Sequence, residues 1–206
     1  MKEPIKDYVQ EEYPEGNVSQ WFGENPKLYA FLGLKGHNGI DIVAPYGTPI
    51  LATSTQTIVE VKDNPSGYGK HIRAIDDTYE YTYGHLSEIS VEVGDEAKVG
   101  YEIGKMGNSG FVVSGATPFW EYNPYAGTHL HFGVREIGGT DNWSIYGDYK
   151  VYIDNYPGFY KGAIDPEPLF ALGDVDKKKH LMLTIISLSN QVISLLKKII
   201  KKKQNV

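Results

Sequence analysis

Between Gly39 and Val134 the chain is cut into short segments, each closed by Gly, Pro, Asn or Asp: "IDIVAP", "TPILATS", "TIVEVKD", "KHIRAID", "YEYTYGH", "ISVEVGD" and "LHFGVRE". Residues two apart share one face of a strand, so segments of this kind bury an apolar face only by pairing into a sheet. Short strands with regular turn signals favour a sandwich or barrel over alternating βα units. No helical period stands out before residue 175, so the expected class is mainly β with a compact antiparallel two-sheet core. With 206 residues, 41% of them hydrophobic, the chain is long enough for one such domain and an appendage. We expect the domain over 1–172 and a C-terminal helix over 173–206. Residues 140–172, aromatic and irregular, read as a segment laid over the sheet.

The appendage has a different pattern. Leu181, Ile185, Leu188, Val192, Leu195 and Ile199 step by four and three, which draws an apolar stripe along one helix. Residues 173–206 hold eight lysines and two aspartates, a charge of +6, against −12 for the remainder. A terminal helix that docks on its own domain or on a sister chain is the first reading. Contact with an anionic membrane surface through 181–203 is the second, weakened because the lysines cluster at the helix ends. No run approaches the ~20 apolar residues of a membrane span. The first twenty residues lack an apolar signal core, so synthesis in the cytoplasm, or delivery by phage or lysis, is expected.

With no cysteine in the chain, any metal would be held by His, Asp or Glu. Of six histidines, His129 and His131 lie one residue apart in "GTHLHFGV". In a strand they share a face while Leu130, Phe132 and Val134 fill the core from the other. His37 and Asp41 flank Gly39 at a turn entering a strand, and His85 follows Tyr81 and Tyr83 in alternation. Taken singly, each has a structural explanation: a turn, an edge histidine on a carbonyl, a surface pair. Taken together they place three groups of ligand-type residues in one strand-rich domain. His71 has no partner motif and is assigned to the fold; His180, opening the tail helix, is treated likewise.

"GHNGIDI", "YGHLS" and "GTHLHFGV", in that order, resemble the signature of the lysostaphin-type zinc metallopeptidases that cleave peptidoglycan, and "PYGTPILA", "GYGKHI" and "VEVGDEAKVGYEIGKMGNSG" match the same family's turns. The resemblance covers about residues 17–172. It implies a barrel-sandwich-like β core with a groove, one Zn²⁺ per chain on His37, Asp41 and His131, and His85 and His129 beside the metal as catalytic groups. Two imidazoles and a carboxylate suit zinc and leave a coordination position open. The implied activity is metal-assisted hydrolysis of peptide bonds in stem peptides or cross-bridges at the bacterial cell wall, with peptidoglycan peptides as partners and no nucleic acid.

The chain departs from the family where "FVVSGATPFWEYNPYAG" precedes the H-x-H strand. Its rings suit contact with an extended chain, or burial against residues 140–172. Tyr83, Trp120, Tyr122 and Tyr125 are the candidate substrate contacts. Two other readings compete. A catalytically silent wall-binding or activator module would have lost ligands, which this chain has not. An iron oxygenase triad of two histidines and a carboxylate is disfavoured by the His-x₃-Asp spacing and the extra histidine pair.

Overall fold

In the computed structural model, residues 1–5, 18–114, 117–118, 123–138, 143–153 and 160–170 are described. The tail helix, Trp120, Tyr122 and His180 lie outside them. Among the described residues, eleven strands come before the hairpin that closes the face: β1 Val18–Gln20, β2 Ile40–Ile42, β3 Pro49–Leu51, β4 Gln56–Asn64, β5 Gly69–Ile75, β6 Tyr79–Ile89, β7 Glu96–Ala97, β8 Glu102–Met106, β9 Val113–Ser114, β10 Thr117–Pro118 and β11 Leu130–Glu136. Then come β12 Trp143–Tyr146, β13 Tyr149–Tyr152 and β14 Ala163–Ile164. The main sheet runs β1-β2-β11-β6-β5-β4-β7, with β14 on β11, and β8 joining β6 to β3. Every pairing is antiparallel, as expected from the punctuation of the sequence.

Turn chemistry fixes the central hairpins. Asn64-Pro65-Ser66-Gly67 joins β4 to β5, with Gly67 N–H donating to Asn64 O at 3.0 Å, a turn that proline preorganises at its second position. Asp76 Oδ1 accepts from the backbone of Thr78 and Tyr79, both at 2.8 Å, and so closes the turn into β6. The register that follows puts Tyr81, Tyr83, Leu130, Phe132 and Val134 on the core face with Ile40, Ile42, Ile58, Ile72 and Ile103. The other face carries Glu60, Arg73, Glu80, Thr82, His131 and Arg135. That polar face is the floor of the groove.

Residues 143–152 do close over the sheet. The β12–β13 hairpin places Tyr146 and Val151 against Val59, with Ile153, Ile75, Ile137 and Tyr149 around them. Two one-turn helices depart from expectation, α1 Pro26–Tyr29 and α2 Glu167–Phe170. α1 starts at a proline and passes through a 3₁₀ turn, Ala30–Leu32, to Gly33 at φ 72°, a C-cap conformation suited to glycine. A single turn is too short to leave a period in the sequence. Among the described residues no helix is long and apolar enough to cross a membrane.

Candidate metal centre

Strand pairing assembles the first half of the centre. His131 on β11 stands directly opposite Asp41 on β2, so the two side chains leave the sheet as cross-strand neighbours. His37 lies one turn before Asp41. Its backbone is clamped on both sides, its N–H donating to Glu24 O at 2.9 Å and its carbonyl accepting from Gly23 N–H at 2.8 Å. Gly39 permits this close approach: a Cβ there would lie 2.5 Å from Phe132 O and 2.8 Å from His131 Cε1.

Three atoms converge. His37 Nε2 is 2.9 Å from His131 Nδ1, and each lies 3.1 Å from Asp41 Oδ1. All three residues are buried, and among the described residues they form the one group of His, Asp and Glu with metal-ligand spacing. Around a tetrahedral ion with bonds of ~2.0–2.1 Å, ligand atoms sit about 3.3 Å apart, close to what is found here.

The proton inventory supports the same reading. His37 Nδ1 faces Trp21 O at 3.3 Å, and a carbonyl only accepts, so the His37 proton sits on Nδ1 and Nε2 presents a lone pair. Burial, together with the histidine neighbours and against the pull of Asp41, lowers the His131 pKa to about 4, so its ring is neutral. Burial works against ionisation of Asp41, but hydrogen bonds with His131 and His37 outweigh it and hold the carboxyl well below its ordinary range. The ionised Asp41 carboxylate and the inward-turned His37 Nε2 and His131 Nδ1 therefore converge out of water with few protons to share. That donor set suits a cation, and His131 Nε2, buried without a hydrogen-bond partner, is consistent with a ring placed for its Nδ1 rather than for the fold.

His85 and His129 border the centre with ring centroids 4.6 Å apart. Each anchors Nδ1 on a backbone carbonyl at 2.7 Å, His85 on Ser109 and His129 on Gly127, so both turn an unprotonated Nε2 outward. His129 Nε2 lies 3.7 Å from Asp41 Oδ2. Burial and the neighbouring His129 and His131 lower the His85 pKa to about 3, which keeps that ring neutral. His85 does not reach the groove by the alternation expected of it. That alternation would leave it beside Tyr81 and Tyr83, on the core face. Between the pairs Ile72↔Tyr83 and Lys70↔Leu86, β6 carries one more residue than β5, and His85 takes φ 62°. The bulge re-aims its side chain.

Two expectations change. Tyr83 is not a substrate contact: it is fully buried, and its hydroxyl bonds Thr53 at 2.9 Å and Gln56 at 3.1 Å, with burial raising its pKa to about 12. Conversely, Tyr68, in "GYGKHI", was not expected at the site. Its ring stacks on His131 at 4.8 Å, its hydroxyl accepts from Asn38 Nδ2 at 2.8 Å, and its carbonyl accepts from His85 N–H at 2.7 Å. The "GYG" glycines announced a turn, but nothing local announced the stack. Tyr125 does stand at the groove mouth, exposed and packed edge-on against Tyr46 at 5.1 Å. The groove encloses about 1830 Å³ and runs from these rings past the histidines to Arg73 and Tyr146.

The profile of Peptidase family M23 matches residues 35–143, which span His37, Asp41, His85, His129 and His131. The chain belongs to this family. It is 37% identical to lysostaphin of Staphylococcus simulans over 158 residues, 73% of this chain and 29% of that protein. Against the glycyl-glycine endopeptidase ALE-1 of Staphylococcus capitis it is 32% identical over 135 residues, 62% of this chain and 34% of the relative. An L-Ala--D-Glu endopeptidase of Bacillus subtilis is 33% identical over 119 residues, 56% of this chain and 34% of its own length. The chain thus spans about a third of the length of these curated relatives. The solved catalytic domain of lysostaphin from Staphylococcus simulans superposes with a TM-score of 0.52 at 25% identity, covering 80% of this chain and 98% of that one. The superposition therefore spans nearly the whole of that solved domain.

Proposed function

We propose that the chain is a zinc-dependent endopeptidase that hydrolyses peptide bonds of peptidoglycan and acts at the bacterial cell wall. The observation that carries this reading is the convergence of His37 Nε2, His131 Nδ1 and Asp41 Oδ1 within 3.1 Å of one another. Membership of the M23 family, and relatives named as endopeptidases, support the substrate class. In this reading His37, Asp41 and His131 hold one zinc ion, which when bound polarises the scissile carbonyl and lowers the pKa of water towards ~7.

The chain's own residues handle the protons. His129 is assigned as base, because Asp41 Oδ2, 3.7 Å from its Nε2, stabilises the imidazolium formed when the ring takes a proton from the attacking water. His85 is held neutral by burial and gives up an acquired proton readily, which suits hydrogen bonding to the developing oxyanion and return of a proton to the leaving amine. Ser109 O and Gly127 O fix both ring orientations, so the two Nε2 atoms are preorganised. Tyr125 and Tyr46 offer apolar faces to an extended peptide at the mouth.

The test is digestion of purified peptidoglycans of several cross-bridge types, with and without chelator, and mass spectrometry of the products. Chelator-sensitive release of peptide fragments is expected. A zinc-loaded protein that releases none from any wall type would refute the reading.

A further inference from the structure

Four rungs along β11 from the histidines, the same sheet face carries a second buried polar cluster. Glu80, with no exposed side-chain surface, accepts from Arg73 Nη1 at 2.9 Å, from Arg135 Nε at 2.9 Å and from the Tyr146 hydroxyl at 2.7 Å. Glu60 pairs with Arg73 Nε and His71 Nε2, both at 3.2 Å, and with Lys62 at 3.7 Å. Three fixed cations, Arg73, Arg135 and Lys62, thus meet two carboxylates. This surplus of positive charge lies in the groove of a domain whose sequence outside the tail carries −12.

Arg73 is the exposed edge of the cluster. Its Nη1 is spent on Glu80 and on Thr82 Oγ1 at 3.1 Å, while Nη2 makes no hydrogen bond among the described residues. The guanidinium is held between two rings, with Cζ 5.7 Å from the centroid of Tyr68 and 5.5 Å from that of Tyr146, and its side chain keeps 18% of its surface on the groove. A rigid arginine with one unengaged N–H edge is a preorganised carboxylate receptor. Tyr68 also stacks on His131 at 4.8 Å. The two ring separations therefore keep Arg73 within about three extended residues of the His131 ring, at ~3.3 Å per residue.

The geometry points to a substrate-carboxylate subsite at Arg73, which selects peptides bearing a free carboxylate within about three residues of the scissile bond over uncharged bridges. It deepens the endopeptidase reading and rests on it for the position of that bond. An uncharged glycine bridge would leave the Nη2 edge unused, whereas a stem peptide with a free glutamate carboxylate would engage it.

The test uses two synthetic stem pentapeptides, Ala–γ-Glu–Lys–Ala–Ala, amidated at the C-terminus and differing only in a free or amidated glutamate α-carboxyl. Binding is measured by calorimetry on the zinc-loaded full chain carrying His129→Ala, in which turnover is suppressed, and cleavage is then followed with the unaltered chain. The free acid is expected to bind about tenfold tighter at low salt, with the preference shrinking as salt rises. Arg73→Gln should reduce it to twofold or less. Should that variant fail to fold, Lys62→Gln, an exposed change, should weaken the preference about twofold. Equal affinity for the two peptides, or no measurable binding of the acid, overturns the subsite. A clear binding preference with no cleavage of peptide or wall would instead sustain the subsite and overturn the endopeptidase reading.

Discussion

One sheet face carries two buried polar clusters, and they are built on opposite rules. In the cluster around Glu80, donors meet acceptors: two arginines and a tyrosine hydroxyl surround one carboxylate, and the β12–β13 hairpin is tied down through Tyr146. In the cluster around Asp41, acceptors outnumber donors: two imidazole nitrogens turned inward crowd one ionised carboxylate. The first arrangement ties the sheet to the β12–β13 hairpin. The second has metal-ligand spacing. Buried polar groups left unmatched cost stability, so a chain keeps them where chemistry needs them.

Mutations can break this comparison at either end. His131→Ala should have the largest effect, with zinc lost by metal analysis and peptide release falling below detection while the fold survives by circular dichroism. His129→Ala and His85→Ala should keep zinc and lose between about 10²- and 10⁴-fold in kcat, the range of a proton-transfer group. Retention of full activity by either would remove that histidine from the mechanism. At the other end, Glu80→Gln should destabilise the fold by ~3–5 kcal/mol in denaturant titration by removing the buried charge that Arg73 and Arg135 share, with no change in zinc affinity per folded molecule.

A pH series sharpens the contrast. His85 and His131 are held neutral in the fold, with pKa values lowered by burial to about 3 and about 4, whereas the unfolded chain protonates them near ~6.5. Between ~6.5 and about 4 the unfolded state therefore binds more protons, and the metal-free protein should lose stability as pH falls, by up to ~1.4 kcal/mol per pH unit per group. Zinc should flatten that slope, because it competes with protons for the same nitrogens. Tyr146→Phe should have the smallest effect, about 1–3 kcal/mol, by removing one hydroxyl between Glu80 and Arg135.

The histidine end was the more legible of the two. The spacing of His129 and His131 and the alternation through Val134 predict one apolar and one polar face, and the structure places Leu130, Phe132 and Val134 in the core with His131 opposite. The mainly β antiparallel class followed from the same alternation and its turn residues. The Arg73–Glu80 end was not legible, because its members come from different strands and meet only through register. Tyr83 was misread for a related reason. Alternation gives it a face but does not say that this face is covered by Thr53 and Gln56.

The sequence by itself therefore determined which ligand-type residues of β11 share a face, because side-chain alternation is a local property of an extended chain, and the family resemblance named the ligand set. Tertiary structure alone decided the rest. It set Asp41 opposite His131, turned His85 into the groove with one extra residue and a positive φ, stacked Tyr68 on the His131 ring, and left one edge of Arg73 without an acceptor among the described residues. Each of these depends on pairing register between strands far apart in the chain, and register is fixed only when the whole sheet buries its apolar face.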